Sequence, residues 1–441
     1  MERSPPDTIF AIASGAGVAG IAVLRLSGPL ALQILGALAQ KAPQPRRATL
    51  TRLADPATGE PLDHAIVLAF PGPASFTGED YAEIHLHGSR AVTAHALRLL
   101  AAMPGARPAE PGEFALRAFR NGKMDLTAVE ALGDLLAAET EAQRKQALRL
   151  MDGALGKQAD AWRSQILEAQ ALTEAWIDFS DEEDVPATAI EQVSSLAKNL
   201  AAAMQTQLAL GKSGEVIRDG FHVVIAGAPN VGKSSLLNAL ARRDAAIVSP
   251  HAGTTRDLIE VRLDLGGVPV ILTDTAGIRD SRDEIELEGI QRGLGAARRA
   301  DLALWLFEAG GDMNLAERAR VETQCLDVAT KSDLNGPDAR GLGVSAKTGA
   351  GLEALIAAIS AEAAQRLAGA EGALVSRQRH RLGIEETLKA LTPVAAATAS
   401  MPLELVAEDL RAAAAALARI TGRIDVEDVL GAIFSRFCIG K

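Results

Sequence analysis

Aromatic residues are scarce in this chain: ten Phe, three Trp and one Tyr make up 3% of 441 residues. Its cores must therefore be built mainly from Ala, Leu, Val and Ile, and a hydrophobic content of 48% supplies enough of them. Cysteine is nearly absent, with only Cys325 and Cys438. That excludes a disulfide framework and points to a reducing compartment. No apolar run approaches the length that spans a bilayer. The start, Met1-Glu2-Arg3-Ser4-Pro5-Pro6, lacks the apolar stretch that follows the basic start of a secretory signal. The expected location is cytoplasmic, with no membrane partner. Positive charge is also in deficit: 45 Lys and Arg stand against 56 Asp and Glu, for a net charge of −11. A surface that coats nucleic acid wholesale is excluded by that balance, whereas a local basic patch is not.

The length predicts two to four domains. Residues 1–118 mix short β-like runs, such as Gly20-Ile21-Ala22-Val23-Leu24-Arg25-Leu26, with Gly-Pro punctuation, as a compact α/β or α+β domain does. Residues 119–215 are helical in pattern, broken by Asp181-Glu182-Glu183-Asp184, which reads as a solvated interhelical loop. Residues 216–367 alternate strand-like and helix-like segments, as a doubly wound nucleotide fold does. Helical character returns over 368–441. A nucleotide domain with helical sequence on both sides is most simply an insertion into a helical domain, since the ends of a compact domain usually lie close together. The expected fold class is thus α/β plus α, with a P-loop G domain inserted in a discontinuous helical domain.

The segment Gly227-Ala228-Pro229-Asn230-Val231-Gly232-Lys233-Ser234-Ser235 has the spacing G-x-x-x-x-G-K-S. A β-branched apolar run, Phe221 to Ala226, precedes it and a helical pattern from Leu236 follows. Strand, glycine loop and helix together are what a phosphate-binding loop requires. Loop N–H groups and the helix N-terminus make an anion site, Lys233 reaches the β- and γ-phosphates, and the Ser234 hydroxyl suits Mg²⁺. Gly211-Lys212-Ser213 lacks both the upstream glycine and the strand, and is a decoy.

Four further elements follow in order. Gly253-Thr254-Thr255-Arg256-Asp257 offers the Thr255 hydroxyl to Mg²⁺ when a γ-phosphate is present. Asp274-Thr275-Ala276-Gly277 ends an apolar strand; Asp274 can hold Mg²⁺ through water and the Gly277 N–H can meet the γ-phosphate. Thr330-Lys331-Ser332-Asp333 places a carboxylate where it can pair with the two N–H groups on the guanine edge, a donor pair adenine lacks. Ser345-Ala346-Lys347 completes the base pocket. The set predicts a GTPase. Two positions depart from the common pattern. Thr330 stands where most such GTPases have Asn, which tethers the base loop to the phosphate loop. Thr keeps one hydroxyl and loses an amide donor, which predicts weaker guanine binding. Ile278 stands where Ras-like enzymes carry the Gln that orients the attacking water, and no residue declares itself an arginine finger.

Beyond the nucleotide segments, the chain resembles the tRNA-modifying GTPase family called MnmE or TrmE. The resemblance runs from Asp7-Thr8-Ile9 and Gly20 to Gly28, through Pro73 to Asp80 with Glu83 and His87-Gly88, through Pro111-Gly112-Glu113-Phe114 and Arg117 to Leu126, to the terminal Cys438-Ile439-Gly440-Lys441. It implies a homodimer formed through an N-terminal domain that binds a tetrahydrofolate one-carbon donor (5,10-methylenetetrahydrofolate, with 5-formyltetrahydrofolate as an analogue). The positions it implies for that site are Arg25, Glu83, Lys123 and Lys441. Cations there can meet the glutamate tail, and Glu83 can accept from the pterin amines.

The resemblance further implies a GTPase stimulated by K⁺, which occupies the place of an arginine finger when two G domains meet. Its ligand positions are Asn230, Ser249, His251 and Thr254. The water-orienting group is carried to Glu286, which on residues alone is a surface acid of a helix. Cys438 is implied to matter for modification, whereas on residues alone it is a small apolar filler. His85 and His87 read as structural, since no Cys/His spacing supports a metal. The implied partners are tRNA and an FAD-dependent protein of the MnmG (GidA) type, in a heterotetramer or larger complex. The alternative is a switch GTPase that acts on ribosomes or RNA without covalent chemistry; it would need neither the folate-type domain nor the terminal Cys-Ile-Gly-Lys.

Overall fold

The computed structural model describes residues 7–15, 17–178, 187–243, 245–247, 260–274, 300–367, 369–398, 401–424, 427–435, 437 and 440. The chain divides into two compact units, Met1–Gly133 with Ala418–Lys441, and Asp134–Leu417.

In the first unit, strands β1 (Thr8–Ile12), β2 (Ala19–Ser27), β3 (Thr49–Ala54), β4 (Pro61–Phe70), β5 (Tyr81–Gly88) and β6 (Ala106–Pro108) form one sheet, ordered β3-β4-β5-β2-β1-β6. All its pairs are antiparallel except β1 with β6. Successive side chains of a strand face opposite sides. Leu24, Leu26, Ile84 and Leu86 accordingly share a core with residues of α1 (Ala31–Ala39) and α2 (Arg90–Ala101). Arg25 and Glu83, one residue out of step, point the other way and are direct cross-strand partners.

That other face holds Ile9, Ala11 and Tyr81 with Phe114 of α3 (Glu113–Arg120). The Tyr81 ring meets Phe70, Phe76 and Phe114 at centroid separations of 5.9, 6.4 and 6.3 Å. Val129 of α4 (Leu126–Ala137) packs with Ala115 and with Phe434 of the last helix (Glu427–Phe434). Beyond that helix the chain returns to the sheet. A Cβ on Gly440, whose φ is 95°, would collide with the Ile12 carbonyl oxygen.

Arg117 is the hub of an ion network in this unit, with its side chain 11% exposed. It donates to Asp7 at 2.6 Å, Glu113 at 3.0 Å and Glu79 at 3.1 Å, and Arg107 also binds Asp7 and Glu113. Burial alone would push Asp7 and Glu113 up. The hydrogen bonds and charges of the two arginines outweigh it and hold both carboxyls below their ordinary range.

The second unit carries α5 (Glu141–Met151), α6 (Ala154–Asp178) and the long α7 (Ala187–Asp219), then a second sheet. Its strands are β7 (Phe221–Gly227), β8 (Glu260–Leu265), β9 (Val268–Asp274), β10 (Leu302–Glu308), β11 (Cys325–Thr330) and β12 (Leu342–Gly343), ordered β12-β11-β10-β7-β9-β8. Every pair is parallel except β8 with β9. The strand–helix alternation expected of this stretch is therefore present. One face buries Val223, Ile225, Leu272, Leu304 and Leu306 with residues of α8 (Lys233–Ala241). The other buries Val224, Ala303, Trp305 and Phe307. Cover on both faces explains why these strands are continuously apolar. β7 lies between β9 and β10, so strand order reverses beside it, and open α/β sheets bind ligands at the carboxyl edge of such a point.

Among the described residues the later helices are α9 (Leu315–Arg318), α10 (Ser332–Asn335), α11 (Leu352–Arg366), α12 (Gln378–Ala395) and α13 (Leu403–Thr421). The start of α5, closed by a Thr140–Gln143 capping box, meets the turn between β8 and β9 through Ala142 N–H to Gly267 O at 3.3 Å and Arg262 to Glu139 at 3.0 Å. Among the described residues no helix is long and apolar enough to cross a membrane.

Replacing Arg117 by Ala takes its hydrogen bonds from Asp7, Glu113 and Glu79 and leaves Arg107 on the first two. It is expected to cost about 1.5–3 kcal/mol of N-terminal unit stability, read by denaturant unfolding. Because Asp7 and Glu113 titrate below their unfolded values, their contribution is present at neutral pH and is lost as pH falls below about 4. That acid loss should be shallower in Arg117→Ala.

Candidate functional site

The phosphate loop begins where β7 ends beside β10. Gly227 has φ 141°, and a Cβ there would collide with the Leu306 carbonyl oxygen, so the strand can turn at this point only if the residue is bare. Asn230 takes a left-handed φ of 61°, which Asn tolerates better than most residues. Gly232 caps α8 and Lys233 is that helix's first residue. Lys233 Nζ donates to the carbonyls of Gly227 and Ala228, both at 2.8 Å, so the ammonium lies over its own loop. Val231 is buried, and Ser235 is exposed in the first turn of α8.

Ser234 Oγ donates to Asp274 Oδ2 at 2.6 Å. Asp274 is buried at the end of β9 and pairs in register with Ile225 of β7, so the parallel pairing delivers the carboxylate to the helix start. A hydroxyl and a carboxylate in this arrangement are hard oxygen donors that would suit Mg²⁺.

The residues expected at the base stand at the ends of β11 and β12. Thr330 Oγ1 lies 2.7 Å from Val231 O, so the hydroxyl ties this loop to the phosphate loop. Lys331, with φ 56°, binds Glu308 Oε2 through Nζ at 2.7 Å. The hydrogen bond from Lys331 holds the Glu308 carboxyl below its ordinary range. Asp333 is exposed in the first turn of α10. Ser332 N–H donates to Val344 O at 3.2 Å, joining this loop to the next. Ser345 is buried, and its Oγ accepts from Thr348 N–H at 3.1 Å; Ala346 is half-buried and Lys347 exposed. Asn230, Val231, Gly232, Lys233, Ser234 and Asp274 thus stand together, with Lys331 and Ser345 on loops tied to them. Ser249, His251, Thr254, Thr255, Thr275, Ala276, Gly277 and Glu286 lie outside the described residues. Glu308 is a participant that the sequence reading missed; its signal was an acid closing the apolar run Leu302 to Phe307.

In the first unit Arg25 Nε binds Glu83 Oε1 at 3.1 Å, and Arg25 Nη1 reaches Gly440 O at 3.4 Å. The Tyr81 hydroxyl donates to Glu83 at 3.2 Å, and His85 Nε2 stands 3.5 Å from it. Burial pushes the Tyr81 phenol above its ordinary value, which keeps it a donor. His87 binds Asp63 at 2.8 Å. Lys123 Nζ donates to Pro73 O at 2.9 Å. Cys438 and Lys441 lie outside the described residues. Tyr81 was not singled out from sequence and His85 was read only as structural, although the period of two along β5 puts both on the side that carries Glu83.

Residues 8–123 match the family model for the GTP-binding protein TrmE N-terminus, and residues 126–438 match the model for the MnmE helical domain. The chain belongs to the MnmE family. A curated relative from Beijerinckia indica, tRNA modification GTPase MnmE, is 52% identical over 99% of this chain and 96% of its own length. The protein of the same name from Methylorubrum populi is 53% identical over 99% and 98%. Among solved structures, the G domain of the T. maritima FeoB iron transporter covers 33% of this chain and 97% of its own, at 22% identity and a TM-score of 0.25, too low to bear on the fold.

Replacing Lys233 by Ala removes a charged donor and is expected to weaken GTP binding about 10- to 100-fold by isothermal titration. Ser234→Ala should bind GDP in EDTA as the parent protein does and lose the increment in affinity that Mg²⁺ adds.

Proposed function

We propose that this member of the MnmE family is a potassium-stimulated GTPase. With an FAD-dependent partner of the MnmG type, it would place an aminomethyl or carboxymethylaminomethyl group on C5 of the wobble uridine of tRNA. The observation that carries the reading is the 2.6 Å Ser234–Asp274 hydrogen bond at the carboxyl edge of two parallel strands, with Lys233 over the adjoining loop. It stands in a chain whose relatives are tRNA modification GTPases.

In this reading Lys233 and the N-terminus of α8 meet the phosphate charge, while Ser234, Thr255 and Asp274 hold Mg²⁺. The N–H groups of Val231 to Ser235 and of Thr275 to Gly277 line the phosphates. Asp333 selects guanine, with Lys331 and the Ser345-Ala346-Lys347 loop enclosing the base. Asn230, Ser249, His251 and Thr254 supply oxygens for K⁺ when the G domains of a homodimer meet, which supplies the positive charge that no arginine provides. Glu286 orients the attacking water in place of the glutamine that Ile278 replaces. Hydrolysis drives a conformational step.

Arg25, Glu83, Lys123 and Lys441 hold the tetrahydrofolate, near Cys438. Arg25 suits its carboxylate tail, and Glu83, already an acceptor for Arg25 and Tyr81, suits its amine donors. When bound, the folate supplies the one-carbon unit. The low overall positive charge favours a grip on tRNA that lies largely with the partner.

GTP turnover in KCl and in NaCl at equal ionic strength tests the reading. Turnover should rise in KCl, and Asn230→Ala should bring it back to the NaCl level. Glu286→Ala is expected to lower kcat about 100-fold or more with KM little changed. Turnover indifferent to the cation would remove the potassium step and favour the switch-GTPase alternative.

A further inference from the structure

Two groups that the folate reading places at different ends of one ligand touch each other. Arg25 Nε donates to Glu83 Oε1 at 3.1 Å, and the Tyr81 hydroxyl donates to the same oxygen at 3.2 Å. Glu83 Oε2 has His85 Nε2 at 3.5 Å and keeps lone pairs for an amine-bearing ring. In a tetrahydrofolate the aminobenzoyl ring separates the pterin from the two carboxylates of the glutamate. An extended ligand whose pterin meets Glu83 therefore carries its tail away from Arg25 and needs cations farther along the sheet. Such cations are present. Phe70 and Tyr81 are cross-strand partners on the face that carries Glu83, with ring centroids 5.9 Å apart. Beyond Phe70, the segment that leads into β3 lies against β4. Arg46 N–H donates to Ala69 O at 2.8 Å, and the guanidinium carbon of Arg46 stands 5.8 Å from the centre of the Phe70 ring. Its Nη2 donates to Ala74 O, while Lys123 Nζ donates to the preceding carbonyl, Pro73 O, at 2.9 Å. Two exposed cations from distant segments thus converge on consecutive carbonyls, and among the described residues neither is in an ion pair. Arg46 has φ 59°, a left-handed conformation that persists in a non-glycine residue only where its surroundings hold it.

We propose that Arg46, acting with Lys123, binds the glutamate tail of the folate, and that the site runs from Glu83 past Phe70 to this pair. The inference rests on the folate reading above. From Glu83 on β5, Arg46 is two strand spacings across the sheet and two residues along it, roughly 12 Å, a separation that suits the aminobenzoyl linker. A guanidinium presents five donors in a planar fork. With one of them on Ala74 O, the others can take a carboxylate, and the Lys123 ammonium adds a point charge beside it. The half-buried Phe70 ring offers the aminobenzoyl ring an apolar neighbour. The assignment of Arg25 to the tail is thereby refined: it holds the Glu83 carboxylate in place at the pterin end.

The test uses the full chain with Arg46→Ala and Arg46→Gln. Affinities for 5-formyltetrahydrofolate and for 5-formyltetrahydropteroate, which lacks the glutamate, are measured by calorimetry, with thermal unfolding of each variant in parallel. Both variants should bind 5-formyltetrahydrofolate about tenfold more weakly than the parent protein and bind 5-formyltetrahydropteroate as the parent does. Arg46→Gln keeps an amide donor for Ala74 O while losing the charge, so it stands in where the Ala variant does not fold. Equal weakening of both ligands would mean that Arg46 serves only to hold the loop at Pro73 and Ala74. Unchanged binding of both would mean that it meets no ligand. Either result overturns the inference. A parent protein that binds neither compound would overturn the folate reading, and this inference with it, a result distinct from any pattern among the variants.

Discussion

The close approach of the Gly227 backbone to the Leu306 carbonyl is the constraint on which the nucleotide site depends. It lets β7 lie against β10 up to its last residue and then turn sharply into the phosphate loop. With that turn in place, α8 starts over the carboxyl edge of the sheet, and the N–H groups of its first turn have no partner within the helix. The same turn sets Ser234 beside the end of β9, where Asp274 meets it. A side chain at residue 227 would push the central strand off its neighbour and separate all of these groups together.

The phosphate loop was legible because strand, loop and helix are consecutive in the chain, and each declares itself by local composition. Asp274 was legible for the same reason, as an acid that closes an apolar run. The pairs that link distant segments were not. Arg25 and Glu83 oppose one another only because β2 and β5 pair in one particular register, and nothing local in either strand states that register. The family resemblance named both residues without saying that they touch. Glu308 was hidden in a similar way: its role appears only when β10 and β11 lie side by side and bring Lys331 to it. Thr330 was noticed as an exception, but its partner Val231 is ninety-nine positions away in the chain.

The scarcity of aromatic residues has a structural counterpart. The single tyrosine meets three phenylalanine rings on one face of the first sheet, while its hydroxyl turns to Glu83. One residue is thereby both a packing centre and a polar contact, as buried tyrosines tend to be. The cores around the second sheet rely instead on Val, Leu and Ile, with Trp305 and Phe307 on one face.

The hydrogen bond from Ser332 N–H to Val344 O joins the two base-side loops through backbone atoms alone. That one link is independent of which side chains stand at the two positions. Asp333 and Lys347 project from this frame into solvent and can be exchanged without rebuilding it. In the proposed reading, nucleobase preference rests with exposed groups on a frame linked through its backbone, so a protein engineer could alter it for an orthogonal nucleotide without cutting that link.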